Sequence, residues 1–263
     1  PFCLSLAFLI YGYFEALNIR TERITIQTDK INKNLRIVQI SDVHVGLIVR
    51  KHRIKKIVEK IKEVNPDIIV STGDLVDAQI DKLNHIAEIF NEIKPYYGKF
   101  AITGNHEFYA GLNNAILFTE MAGFEILRGK GKIIDELNIN IVGLDDLVSS
   151  KYNLNLNIDS SHLLRSFSNK RFTILLKHRP IIDRELLGLI DLQLSGHTHK
   201  GQFFPFSLVT RLYYRNNDSG LIKINDNSYL YVSRGTGTWG PPVRIFAPPE
   251  ITVIDLIKKA KLR

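Results

Sequence analysis

Five times along this 263-residue chain an apolar run breaks off into a short cluster of Asp, Asn, His and Gly. Leu35–Ile40 ends in Ser41-Asp42-Val43-His44, residues 68–70 in Ser71-Thr72-Gly73-Asp74, and residues 99–102 in Thr103-Gly104-Asn105-His106-Glu107. Residues 175–176 run into Lys177-His178-Arg179-Pro180, and residues 192–194 into Ser195-Gly196-His197-Thr198-His199. Short apolar runs separated by amphipathic stretches read as buried strands of an α/β sheet. Between the first two, residues 50–64 set Ile54, Ile57, Val58, Ile61 and Val64 at helical spacing, and Pro66 ends the helix. Leu83, Ile86, Phe90 and Ile93 mark a second helix, stopped by Pro95, so the opening is βαβαβ. Further strands are expected at residues 139–144, Phe172–Leu176, residues 189–194 and Tyr229–Val232, with helices at Leu112–Met121 and residues 159–167. Ligands of open α/β sheets gather beyond the carboxyl ends of the strands. The five clusters should therefore converge on one edge.

Of the 8 histidines, His44, His106, His178, His197 and His199 lie in these clusters, a bias that scattered surface histidines would not show. His52, His85 and His162 fall within helical patterns and read as surface or packing residues. Imidazole, carboxylate and amide oxygen form a donor set suited to Mn²⁺, Fe or Zn²⁺. The only cysteine, Cys3, excludes a thiolate cluster and an intramolecular disulfide, so any metal is held by nitrogen and oxygen. Asp42, His44, Asp74, Asn105, His178, His197 and His199 are too many for one ion and divide between two. Asp42-x-His44 and His197-x-His199 would each aim two side chains one way if locally extended. Glycines before Asp74, Asn105 and His197 allow close backbone approach.

Hydrophobic residues make up 44% of the chain and charged residues 24%, which supports a sizeable core and excludes a disordered chain. A net charge of +8 favours anionic partners: phosphate esters, nucleic acid or an anionic membrane surface. The basic residues are spread over a helix (Lys51, Arg53, Lys55, Lys56, Lys60, Lys62) and the tail, with no basic strand interleaved with aromatics. No specific nucleic-acid partner is therefore expected. Residues 1–14 carry no charge, and residues 1–20 are expected to end a membrane-spanning or membrane-proximal segment. Residues 35–263 form one further domain. The expected location is membrane-associated, at a bacterial cell membrane.

The ordered motifs D-x-H, GD, GNH with an acidic residue, a lone His and GHxH resemble those of the calcineurin-like metallophosphoesterase superfamily. The resemblance runs from about Ile37 to His199 and, less strictly, to Val253. It implies a four-layer αββα sandwich of two mixed sheets flanked by helices, with a dinuclear centre at the strand C-terminal ends. By the same resemblance Asp42, His44 and His199 hold one ion, Asn105, His178 and His197 the other, and Asp74 bridges them. His106 matches the histidine that binds phosphate and protonates the leaving oxygen. Two divalent ions, Mn²⁺ first and Fe or Zn²⁺ as alternatives, would lie about 3.5–4 Å apart and activate a bridging water for in-line displacement. Glu107 stands where Asp is common and reads as a supporting residue. Lys200 replaces a common Gly, so the local turn is expected to differ.

Residues 201–206 (Gly-Gln-Phe-Phe-Pro-Phe) and 235–244 resemble the membrane-associated bacterial branch of the superfamily, which includes enzymes similar to UDP-2,3-diacylglucosamine pyrophosphatases. That implies hydrolysis of a phosphodiester or pyrophosphate bond in a lipid-linked or nucleotide-sugar substrate, amphiphilic ones included, at a membrane surface. A nuclease or cyclic-nucleotide phosphodiesterase is the alternative, and a non-catalytic scaffold a third reading that the filled ligand positions disfavour. Phe203–Phe206 reads equally as a buried aromatic cluster or an exposed loop, and Arg211, Arg215 and Arg244 as candidate substrate-phosphate contacts.

Overall fold

Two six-stranded sheets lie face to face in the computed structural model, which describes residues 2–77, 83–154 and 156–260. In chain order the first half contains α1 (Phe2–Leu17), β1 (Arg20–Thr28), β2 (Leu35–Ile40), α2 (Lys51–Val64), β3 (Ile68–Ser71), α3 (Asn84–Asn91), β4 (Lys99–Ala101), α4 (Asn105–Tyr109), α5 (Leu112–Met121) and β5 (Glu125–Ile126). The second half contains β6 (Lys130–Ile134), β7 (Ile139–Gly143), α6 (Ser160–Arg165), β8 (Phe172–Leu176), β9 (Leu192–Ser195), α7 (Phe206–Tyr213), β10 (Gly220–Lys223), β11 (Tyr229–Val232) and β12 (Glu250–Lys258). The first sheet runs β1-β12-β2-β3-β4-β5 and the second β10-β11-β9-β8-β7-β6. Both are mixed. In the first only the β12–β2 pair is antiparallel; in the second β10–β11 and β6–β7 are.

Strand alternation explains the four layers. In β2, Ile37 faces the second sheet, while Val38 and Ile40 face the helices. Ile54, Ile57, Val58 and Ile61 of α2 pack there with Ile86 and Phe90 of α3. Between the sheets, Ile37, Ile68, Val70 and Ile254 meet Ile141, Ile174, Leu176 and Leu194. The outer face of the second sheet offers Val142 and Leu175 to Leu164 of α6 and to Leu186. The expected αββα sandwich is present.

Element ends depart from expectation where turns intervene. The strand expected at residues 189–194 starts only at Leu192, because Gly188 (φ 88°) and the Leu189 N–H to Leu186 carbonyl bond close a turn first. The helix expected at residues 159–167 is one residue later and shorter, since the Asp159 carboxylate caps it by accepting from the N–H groups of Ser161 and His162.

The membrane-associated location needs correction. Among the described residues no helix is long and apolar enough to cross a membrane. Helix α1 has 16 residues, about 24 Å at 1.5 Å per residue against the roughly 30 Å of a hydrocarbon core. Its Gly12 and Ala16 are buried, and the Gly12 carbonyl accepts the backbone N–H of Arg244.

Candidate metal centre and active site

The loops after β2, β3, β4, β8 and β9 do meet at one edge. Their geometry is not extended: Asp42 (φ 51°), His44 (φ 55°), Asp74 (φ 51°), His197 (φ 70°) and His199 (φ 47°) all adopt the left-handed region. Non-glycine residues rarely do so, and such strain clusters where a surrounding structure imposes it for function. Here the reversals lie in the loops after β2, β3 and β9. Close approach completes the arrangement. A Cβ on Gly196 would lie 1.9 Å from Ser41 Oγ, and one on Gly104 2.1 Å from Asp74 Oδ1.

Among the described residues the candidate donor atoms form three groups: His44 with Asp77 and His106 at the side of the centre, and two at its core. Asp42, His44 and His199 can share one ion, as can Asp74, His178 and His197. In the first, His44 Nε2 lies 3.1 Å from His199 Nε2, and Asp42 Oδ1 lies 3.6 Å from His199 Nε2. In the second, His178 Nε2 lies 3.1 Å from His197 Nδ1, 3.2 Å from Asp74 Oδ2 and 3.3 Å from Asn105 Oδ1. Asp74 Oδ2 is also 3.9 Å from His44 Nε2, which places this carboxylate between the groups. Donors about 2.0–2.2 Å from a shared centre stand about 3–3.5 Å apart, so the spacing fits bound ions.

Electrostatics give the same answer. The Thr72 carbonyl, 2.8 Å from His178 Nδ1, can only accept, so Nδ1 carries a proton and Nε2 is the atom that faces Asp74, Asn105 and His197. Burial disfavours the His178 imidazolium, but Asp74, Asp42 and Asp146 outweigh that and lift its pKa to about 10. The pocket thus favours positive charge. Burial pushes His44 down to about 4 and His197 down to about 3, which favours the uncharged imidazole in both.

His106 sits beside this centre, its ring against that of His44 with centroids 4.5 Å apart. Its Nδ1 lies 2.9 Å from Asp77 Oδ1, so Nδ1 carries the proton toward the carboxylate. Burial opposes its charged form, yet the Asp77 hydrogen bond and the Asp74 charge prevail and raise its pKa. The motif pattern does not single out Asp77, although the Gly-Asp-Leu-Val-Asp run puts it three residues after Asp74. Glu107 is a brace: its carboxylate accepts from the backbone N–H groups of Gly104 (2.6 Å), Asp74 (3.0 Å) and Leu75 (2.7 Å). Lys200 (φ 52°) takes the left-handed conformation that glycine would adopt there.

Above the centre opens a cavity of about 700 Å³. His44, Asp74, Asn105, His106, His197 and His199 form its polar part, and Tyr109, Phe203, Phe206 and Trp239 its aromatic part. Phe203–Phe206 is therefore no buried cluster. Phe204 and Phe206 are exposed, and Phe203 and Phe206 face the cavity. Arg244 is not a substrate contact: it is 0% exposed, and its guanidinium donates to the carbonyls of His199, Arg234 and Gly237 and to His199 Nδ1. Arg211 donates to Asn216 Oδ1 instead. His52, His85 and His162 are exposed.

With this geometry in view, likeness to known proteins becomes informative. The model of the family described as calcineurin-like phosphoesterase matches residues 35–201. An uncharacterized metallophosphoesterase of Aquifex aeolicus is 37% identical, covering 94% of this chain and 95% of its own. One of Helicobacter pylori is 35% identical over 94% of this chain and 67% of its own. Neither name gives a location. A zebrafish relative named transmembrane protein with metallophosphoesterase domain is 32% identical, but this chain spans only 60% of it. Among solved structures, a 5′-nucleotidase precursor from Thermus thermophilus has a TM-score of 0.47 at 15% identity, covering 85% of this chain and 54% of that one. The chain belongs to the calcineurin-like metallophosphoesterases, metal-dependent enzymes that hydrolyse phosphoester bonds.

Proposed function

We propose that this chain hydrolyses a phosphodiester or pyrophosphate bond in an amphiphilic substrate of lipid-linked or nucleotide-sugar type. Asp42, His44 and His199 would hold one divalent ion, Asn105, His178 and His197 a second, and Asp74 would serve both. Mn²⁺ suits this mixed nitrogen and oxygen set, with Fe or Zn²⁺ as alternatives. When bound, such ions supply Lewis-acid charge to phosphoryl oxygens and activate water at neutral pH. The rest falls to the chain. Burial keeps the site dry around the reacting phosphate. Asp77 holds the His106 ring, so that Nε2 is left to donate a proton to the departing oxygen. Phe203, Phe206 and Trp239 give the apolar part of a substrate a wall beside the reacting phosphate.

The observation that carries the reading is the joining of two donor groups through Asp74 at the polar end of a half-aromatic cavity. The test is to strip the protein of metal, reload it singly with Mn²⁺, Zn²⁺ or Fe, and assay a phosphodiester, a phosphomonoester and a UDP-linked acyl sugar. Hydrolysis of the diester or the acyl sugar nucleotide, lost on chelation and restored by metal, is expected. Full activity in metal-free protein, or turnover of the monoester alone, would overturn the reading.

A further inference from the structure

Gln202 is 4% exposed and stands where two loops of the cavity meet. Each of its polar groups has a partner. Its backbone N–H donates to the His199 carbonyl at 2.9 Å, and its carbonyl accepts from the Ile245 N–H at 3.1 Å. Its side-chain oxygen accepts from the Trp239 N–H at 2.9 Å. Its Nε2 donates to the Trp239 carbonyl at 2.6 Å and to the Pro241 carbonyl at 3.4 Å. A backbone N–H only donates and a carbonyl only accepts, so the amide has one orientation here. The backbone of Gln202 is strained. At φ 60° and ψ −42°, with the Phe203 N–H donating to the Gly201 carbonyl at 2.6 Å, it is the centre of a γ-turn of the rare kind. Such backbone persists only where its surroundings impose it, and it clusters at sites that bind.

What the amide holds is a residue that lines the cavity. Trp239 is the only tryptophan of the chain and is 58% exposed. Its backbone N–H and carbonyl are both tied to one buried side chain, and Gly240 (φ 62°), Pro241 and Pro242 follow it. The same loop is tied to the loop after β2. There the Thr236 N–H donates to the Ser41 carbonyl at 2.7 Å, and the Gly237 N–H to the Asp42 carbonyl at 3.0 Å. Gln202 itself lies three residues after His199 and bonds to its carbonyl. Trp239 is thus fixed to the candidate metal centre from two sides, through Asp42 and through His199. A loop so pinned presents its ring before substrate arrives, which spares the cost of ordering it on binding.

Resting on the proposed hydrolase reading, we infer that Gln202 is a positioning residue: it fixes Trp239 relative to the metal centre, and Trp239 thereby selects substrates by the length of the apolar arm on the reacting phosphate. An arm that reaches the ring gains contact with a surface already in place. A shorter arm leaves the ring in water. Gln202 acts on this choice only through Trp239.

The experiment uses p-nitrophenyl phosphodiesters whose second alcohol is methanol, hexanol or decanol, with Mn²⁺-loaded wild type, Gln202→Met, Trp239→Ala and the double variant. In wild type, kcat/KM should rise from the methyl to the decyl ester. Trp239→Ala should cut the decyl-to-methyl ratio roughly tenfold. Gln202→Met fills the same space without the amide and should cut that ratio roughly three- to tenfold. The double variant should lose no more of the ratio than Trp239→Ala alone, since one residue acts through the other. Fluorescence of the sole tryptophan gives a second readout, taken on Zn²⁺-loaded protein. Acrylamide should quench Trp239 more in Gln202→Met, and decyl methylphosphonate should shield it in wild type better than methyl methylphosphonate does. No gain with arm length in wild type would overturn the inference. So would a wild-type ratio in Gln202→Met, even with a lowered melting temperature, because Gln202 would then only staple two loops. Additive losses in the double variant would overturn it too. Should wild type hydrolyse none of the esters, the hydrolase reading fails, and the shielding of Trp239 by the two phosphonates still decides the role of Gln202. Should Gln202→Met not fold, Gln202→Glu, which sets a carboxylate against the Trp239 carbonyl, decides the same question.

Discussion

The two donor groups of the centre look alike in composition and differ in what stands behind them. Behind His178 lies the Thr72 carbonyl, 2.8 Å from Nδ1, with the Asp146 carboxylate adding negative potential. This is the usual support of a metal-binding histidine, which fixes the tautomer and raises ligand basicity. Behind His199 lies a buried cation, with Arg244 Nη2 3.0 Å from Nδ1. A guanidinium can only donate, so Nδ1 accepts and the proton of the neutral ring lies on Nε2. That atom faces Asp42 and His44 and would have to give the proton up to an ion. Burial and the Arg244 charge together hold the His199 pKa well below the usual histidine value. On the proposed assignment, the GHxH motif would feed two sites of unequal strength. The Asp74–His178–His197 group should bind its ion more tightly, and the Asp42–His44–His199 group should release its ion first.

The largest effect should come from the residue that joins the groups. Asp74→Ala is expected to abolish both occupancies and to lower kcat/KM by more than the roughly 10²–10⁴-fold worth of a single general acid. Metal analysis that finds one ion still bound would show that the groups are independent. His106→Ala lies outside both groups, so both ions should stay while kcat falls by about 10²–10⁴-fold. Loss of metal in that variant would make His106 a ligand instead.

Asp77→Asn removes the carboxylate that favours the protonated His106 ring. The pKa of His106 should then fall, so the limb on which activity declines with rising pH moves to lower pH. A loss of roughly 10–100-fold at neutral pH is typical for such a supporting partner. An unmoved alkaline limb in the pH–kcat profile would separate His106 from that proton.

Arg244→Met probes the asymmetry itself. It unsatisfies buried carbonyls at a cost of about 1–3 kcal/mol each, and thermal melting should register a fall of several degrees. Metal titration should show the first ion bound more tightly once the cation behind His199 is gone, with the second little changed. An unchanged or weaker first ion would erase the distinction between the groups. The smallest effect is expected at Gly12. A Cβ there would lie 2.5 Å from Val243 Cγ1 and 2.9 Å from Ile245 Cγ1, so Gly12→Ala presses α1 off the Arg244 loop. Such overpacking costs about 1–3 kcal/mol, which thermal melting should register.

The parts of the fold with short apolar runs and abrupt polar ends are legible in the sequence alone. Strand β2 matches its expected bounds residue for residue, and the five loops meet as expected. Strand β1 (RTERITIQT) escapes such a reading because charged residues lie in the first half of this edge strand and the polar run after it, Asp29-Lys30-Ile31-Asn32-Lys33-Asn34, holds no His or Gly. Strand β12 lies some fifty residues after the last motif yet sits between β1 and β2, a position that no local pattern encodes.

Sequence by itself determined the donor chemistry: nitrogen and oxygen, never thiolate, in five clusters at strand ends, with enough residues for two ions. Its local patterns sufficed because each cluster is a contiguous run whose strand dictates where it emerges. Tertiary structure alone decided the rest. It chose left-handed turns over extended ones, set Asp77 behind His106, and turned Arg244 from a substrate contact into a buried support of His199. Those outcomes depend on packing between distant segments, since Arg244 reaches His199 across 45 residues and His178 meets Thr72 across 106. A buried charge is tolerated only where such long-range partners satisfy it, and that satisfaction exists only once the two sheets have closed.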